Sequence, residues 1–118
     1  NGIRQITRDH SLVEEMVRIG GIDRRSARNH PDKNIITRAV GAMDPVEIDF
    51  FHEELKPGDL VLMCSDGLTN MLEDEEIHAI LKEQVSVEER AQMLIDAANY
   101  NGGKDNITVI IIDAFARK

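Results

Sequence analysis

Three aspartates stand where a carboxylate has to be accounted for. Asp66 ends the apolar run Leu60-Val61-Leu62-Met63-Cys64-Ser65 and is followed at once by Gly67. Asp105 lies in Lys104-Asp105-Asn106, directly before Ile107-Thr108-Val109-Ile110-Ile111-Ile112, the most apolar and β-branched run of the chain. Asp9 follows a short run from Ile3 to Thr7. An ionised carboxylate at the edge of an apolar strand is costly unless turn geometry or a cation satisfies it. If the two long runs are antiparallel neighbours, Asp66 at the end of one meets Asp105 at the start of the other, and Asp9 can reach the same edge. Carboxylates gathered without His or Cys are hard oxygen donors, suited to Mg²⁺ or Mn²⁺ rather than Zn²⁺. Two such ions a few ångströms apart activate a water and neutralise a phosphoryl oxygen, which would suit phosphoester hydrolysis. The local alternative is that Asp-Gly and Asp-Asn are ordinary turn dipeptides.

Other candidates suit structural roles. Asp59 reads as a turn residue, and Asp23 and Asp74 as helix caps. His10, His30, His52 and His78 are scattered with no i, i+4 pair, so a His-based metal site is not expected. Cys64 has no evident base beside it and reads as core. As the only cysteine it can form no internal disulfide, which suits a reducing, cytoplasmic setting.

The elements that must position these residues follow from local signals. A chain of 118 residues is enough for one domain. Its core must be aliphatic, because aromatics are 3% of the chain with no Trp. A formal net charge of −8 disfavours nucleic acid as a partner, and no apolar run is long enough to span a membrane. Ser11 and Glu14 have capping-box spacing and open a helix carrying Leu12, Val13, Met16 and Val17, ended by Gly20-Gly21. Asp23 caps a second short helix that stops before His30-Pro31. Residues 18–34, rich in Arg, Asp, Asn and His, read as an exposed excursion. Ile35 to Val40 reads as a strand closed by Gly41. In Val46-Glu47-Ile48-Asp49-Phe50 apolar and acidic residues alternate, the mark of a half-buried strand. Lys56-Pro57-Gly58-Asp59 is a turn, so this strand and Leu60–Ser65 should pair antiparallel. Ile77, Ile80 and Leu81 line a helix begun at Asp74. Ser86 and Glu89 open another, with Val87, Ala91, Leu94, Ile95 and Ala98 on one face and Asn101-Gly102-Gly103 at its end. The pattern amounts to about five strands and four helices. It does not alternate as a doubly wound fold does, so an α+β fold with a mainly antiparallel sheet covered by helices is expected. Asn1-Gly2 is a hairpin-turn signal with only one strand beside it, as if the chain were a piece of something longer.

Taken in order, Gly58-Asp59-Leu60, Ser65-Asp66-Gly67-Leu68 and Lys104-Asp105-Asn106-Ile107-Thr108-Val109 resemble blocks of the metal-dependent protein serine/threonine phosphatases of the protein phosphatase 2C family. Thr7-Arg8-Asp9-His10-Ser11-Leu12-Val13, Asn29-His30-Pro31 and Ile35-Ile36-Thr37-Arg38-Ala39-Val40-Gly41 are similar to its bacterial branch. The resemblance implies that Asp66 and Asp105 are ligands of a binuclear Mn²⁺ or Mg²⁺ centre. It implies that Asp9 helps to hold a third, weaker ion, and that residues from about Gly20 to Asn34 form a flap beside the active site. It implies a four-layer α-β-β-α sandwich, phosphorylated proteins as substrates and an opposing serine/threonine protein kinase. The family's first half carries an aspartate that bridges both metals, in an Asp-Gly-x-Gly-Gly-type segment, and a phosphate-binding arginine. Neither block occurs here, since the only Asp-Gly is Asp66-Gly67. The chain therefore reads as the C-terminal portion, residues 1–118, of a single phosphatase domain. By itself it is expected to be inactive, and to self-associate or pair with its missing half. The alternative is a non-catalytic phosphatase-like binding module.

Overall fold

A computed structural model describes residues 2–33, 35–41 and 44–116. The expected turn at Asn1 and the flap boundary at Asn34 thus fall outside the described residues. The elements run α1 (Leu12–Arg18), α2 (Arg24–Arg28), β1 (Val61–Cys64), α3 (Asp66–Thr69), α4 (Asp74–Leu81), α5 (Val87–Tyr100) and β2 (Val109–Ile112). They fall into two compact units, one of Asn1–Ile3 with Glu53–Lys118 and the other of Arg4–His52. Among the described residues no helix is long and apolar enough to cross a membrane.

The Glu53–Lys118 unit is built on an aliphatic core. The turn before β1 closes as its sequence suggests: Asp59 donates its N–H to the Lys56 carbonyl, and its carboxylate accepts the Lys56 N–H at 3.0 Å. β1 and β2 pair antiparallel, with Val61 opposite Ile112 and Cys64 opposite Val109. Leu62, Val109 and Ile111 share one face and pack on Leu68, Leu72, Ile77, Leu94 and Ala98. On α5, Leu94 and Ala98 are the positions that reach this core fully, one helical turn apart. Ser86 starts that helix by accepting the Glu89 N–H at 3.1 Å. At its end, Gly102 N–H bonds to the Asn99 carbonyl and Gly103 N–H to the Ala98 carbonyl. Both glycines have positive φ, which this helix-ending motif requires of the residue after the cap. α4 starts one residue earlier than the sequence suggests. Glu73 is its N-cap, with its N–H bonded to the Glu76 carboxylate, and Asp74 is already helical.

In the Arg4–His52 unit, Ser11 caps α1 by accepting the Glu14 N–H, and Asp23 caps α2 by accepting the Ser26 N–H at 2.7 Å. Val13 and Ala27 are its buried apolar residues. Glu14 does not reach back to Ser11 as a capping box would have it. Its carboxylate instead takes both terminal nitrogens of Arg24 and ties α2 to α1.

Three expected strands are not formed among the described residues. Ile3–Thr7 and residues 46–50 join no ladder, and Ile36 makes only an isolated antiparallel bridge with Ser11. The alternation in 46–50 supplies a two-faced segment but not a neighbour, and a strand exists only through its partner. β1 pairs with β2, not with 46–50. The α+β character stands, while the sheet among the described residues has two strands. Cys64 is exposed rather than core, and it stands in the last pair of the ladder, opposite Val109.

Candidate functional site

The antiparallel register decides where the aspartates fall. Cys64 opposite Val109 is the last ladder pair, so Asp66 leaves β1 at the same end from which Asp105 leads into β2. Asp66 is the first residue of α3, and both aspartates are exposed. The Asp105 carboxylate accepts the N–H of Asn106 at 2.7 Å, which turns the loop just before the strand.

Two further contacts hold the edge together. Gly67 does not have the positive φ that would call for a glycine on conformational grounds. It is a glycine for want of space: a Cβ there would lie 2.1 Å from the Asn106 carbonyl oxygen. The first turn of α3 thus lies directly against the backbone that follows Asp105. Asn101, just past α5, donates its side-chain amide to the Met71 carbonyl at 3.0 Å and so joins the exit of α5 to the exit of α3. Ser65 completes the edge, its hydroxyl donating to the Asn106 carbonyl at 3.2 Å and accepting the Thr108 N–H at 3.0 Å.

Two exposed carboxylates at one edge are the hard donors that Mg²⁺ and Mn²⁺ take, and they fit part of such an ion's shell of about six oxygens. Among the described residues no three His, Cys, Asp or Glu side chains gather as a metal site. Asp66 and Asp105 by themselves would be only part of a donor set. Asp9 belongs to the Arg4–His52 unit, where the Glu14 hydrogen bond and charge, and after them the charge of Asp9, raise the Arg24 pKa.

That unit holds a charged cluster not anticipated from the sequence. Arg38 bonds to Asp49 at 3.0 Å and to Glu47 at 3.2 Å, and His10 Nε2 lies 3.2 Å from the other Asp49 oxygen. The Arg38 hydrogen bond, with its charge and those of His10 and Arg8, holds the Asp49 carboxyl below the usual carboxylate range. Beside it opens a concavity lined by Arg8, Ile48, Asp49, Phe50 and Phe51. The alternation of Glu47 and Asp49 was the only sequence signal. It marked one wet face without saying that Arg38 and His10 would meet it.

A family model described as stage II sporulation protein E (SpoIIE) matches residues 24–115. The serine/threonine phosphatase stp of Listeria welshimeri is 48% identical over 113 residues, which are 96% of this chain and 45% of that protein. The solved serine/threonine phosphatase of S. agalactiae is 44% identical with a TM-score of 0.84, over 92% of this chain and 45% of the other. The catalytic domain of the serine/threonine protein phosphatase PstP, solved with two manganese ions, is 35% identical with a TM-score of 0.74, over 91% and 43%. The chain spans about half the length of the curated relatives it matches. With most of its residues matched both by that family model and by bacterial phosphatases of this kind, the chain belongs to the protein phosphatase 2C family.

Proposed function

We propose that this chain is the C-terminal portion of a metal-dependent protein serine/threonine phosphatase, to which it supplies Asp66 and Asp105 as metal ligands. The observation that carries the reading is the β1–β2 register, which brings these two carboxylates to one end of the ladder. The manganese ions of the PstP catalytic domain support the choice of cofactor. Mn²⁺ or Mg²⁺ bound there would make a water nucleophilic and offset charge on the phosphoryl oxygens. The chain's own part is to present two carboxylate oxygen donors on a backbone fixed by Ser65, Gly67 and Asn101.

In the same reading Asp9 contributes to a third, weaker ion, and residues 18–34 act as the flap. The bridging aspartate and the phosphate-binding arginine come from the other half of the domain, which completes the four-layer sandwich. The substrates are phosphorylated proteins in the cytoplasm, in opposition to a serine/threonine kinase. The partial donor set is what favours the alternative, a phosphatase-like module that binds without catalysing.

The test is Mn²⁺-dependent hydrolysis of p-nitrophenyl phosphate. The 118-residue chain alone should be silent, activity should return when the N-terminal half of a relative such as Listeria stp is added, and Asp66→Asn should abolish it. Activity of the chain alone would refute the fragment reading. Silence even with the added half would favour the binding module, and restored activity indifferent to Asp66→Asn would remove Asp66 from the site.

A further inference from the structure

Ser65 occupies the single residue between β1 and α3, and its bonding is unusual for both. In an antiparallel ladder, an opposed hydrogen-bonded pair exchanges two bonds, each N–H going to the other residue's carbonyl. Ser65 and Thr108 are the pair that follows Cys64 and Val109. Half of the exchange is made, from the Ser65 N–H to the Thr108 carbonyl at 3.0 Å. The Ser65 carbonyl, however, accepts the Leu68 N–H at 3.1 Å and so belongs to the first turn of α3. The Thr108 N–H goes to the Ser65 hydroxyl instead, at 3.0 Å. Ser65 is also the N-cap of α3, where a serine hydroxyl ordinarily accepts a helical N–H. It makes no such cap bond.

We infer that Ser65 is a positioning residue for the divalent cation: its hydroxyl stands in for its own carbonyl, so the chain passes from strand to helix within one residue while the strand bearing Asp105 stays fastened beside Asp66. The inference rests on the reading of the two aspartates as metal ligands. Without the hydroxyl, the Thr108 N–H loses its acceptor on Ser65, whose carbonyl is directed to the Leu68 N–H. Thr108 is exposed, so water can take over its N–H when the hydroxyl is removed. The fold then survives, but the hydroxyl's bonds to the Asn106 carbonyl and the Thr108 N–H are lost and the backbone bond from the Ser65 N–H to the Thr108 carbonyl holds the strand alone. Gly67 lies against the Asn106 carbonyl, so loosening residues 106–108 shifts Asp105 relative to Asp66.

The experiment is a Mn²⁺ titration of the whole chain combined with the N-terminal half of a relative such as Listeria stp, which supplies the rest of the donor set, read by paramagnetic broadening of the Asp66, Gly67, Asp105 and Asn106 amide resonances of this chain. Asp66→Asn should remove the broadening. Ser65→Ala should raise the Mn²⁺ concentration at half-effect by about tenfold, the loss typical of groups that orient metal ligands, and should speed hydrogen exchange at the Thr108 amide. Ser65→Thr, which keeps the hydroxyl, should restore both. Ser65→Cys keeps the volume but accepts weakly and should fall between, which also covers a poorly folding alanine variant. Ser86→Ala is the control. It removes the cap at the far end of α5, about 20 Å along that helix, and should lower the thermal midpoint without changing the titration. A wild-type titration for Ser65→Ala, with broadening still lost in Asp66→Asn, overturns the positioning role and leaves the ligand reading intact. Equal weakening by Ser86→Ala would also overturn it, by making the effect one of general stability. Absence of any broadening that depends on Asp66 would overturn the ligand reading and this inference together.

Discussion

The two units of the chain hold their shape by different means. In Glu53–Lys118 the work falls to apolar burial: Leu68, Leu94 and Ala98 are 0% exposed, with Leu72 and Ile77 at 1%. In Arg4–His52 only Val13 and Ala27 are buried among the described residues. There α1 and α2 are joined by Glu14–Arg24, Glu15 pairs with Arg18 within α1, and Arg38 ties its own segment to Glu47 and Asp49; all these pairs remain in reach of water. Burial is insensitive to salt and acid, whereas exposed ion pairs are screened and titrate. The carboxylates best placed to hold a cation, Asp66 and Asp105, rest on the unit organised by burial. The segment read as a flap belongs to the unit organised by charge. In the proposed reading, a firm support for ligands and a responsive segment would make opposite demands, and the two kinds of packing would meet them separately.

The sharpest way to break the comparison is Leu94→Ala. A leucine with no exposed surface loses both its transfer energy and the space it filled, so stability should fall by about 2–5 kcal/mol. The loss should show in urea unfolding, and amide exchange should rise first through α5 and β2. Accelerated exchange in Arg4–His52 with none in Glu53–Lys118 would contradict the assignment of the core.

Gly67→Ala should come next, at about 1–3 kcal/mol, because a methyl group must displace a backbone carbonyl rather than a flexible side chain. The Ile107 and Thr108 amide resonances should shift most. A change smaller than that at a solvent-facing control such as Gln92→Ala would mean that the close approach is not present in solution.

The smallest effect is expected from Arg38→Ala, and it sharpens the comparison through pH. Asp49 is depressed chiefly by its hydrogen bond to Arg38. A depressed carboxyl contributes stability above its unfolded value, near 4, and that contribution is lost as pH falls through the lower folded value. Removing Arg38 should therefore move the Asp49 titration up toward the ordinary range, as read from its carboxyl carbon shift. Added salt should move the wild-type titration the same way. The resonances of Glu53–Lys118 should not respond. A titration of Asp49 unaltered by the substitution would remove the cluster from the account.

How much was legible beforehand depended on the reach of each interaction. The caps at Ser11, Asp23 and Ser86 could be read because the bond each makes spans three residues. The glycine stop after α5 and the Leu94–Ala98 face could be read because a helix repeats within a few residues. β1 and β2 were legible as apolar β-branched runs, and their pairing placed Asp66 and Asp105 at one edge before any coordinates. The strand expected at 46–50 failed because alternation carries no information about a neighbour. Cys64 failed because exposure depends on what lies across the sheet, not on the run that contains the residue.

By itself the sequence determined four of the five helices found among the described residues, the two strands and the family, all of which rest on contacts or blocks local to the chain, while the short helix α3 and the start of α4 at Glu73 were not read from it. Only the tertiary structure decided why residue 67 is a glycine, which group Arg38 and His10 serve, and where the Ser65 hydroxyl goes. The physical reason is separation: the Arg38–Asp49 bond joins residues 11 apart and the Ser65–Thr108 bond residues 43 apart. No local propensity specifies such contacts. The Ser65–Thr108 bond forms where the aliphatic core packs β1, β2, α3 and α5 together, the Arg38–Asp49 bond within the other unit, and in both the polar groups take the partners that the surrounding backbone leaves them.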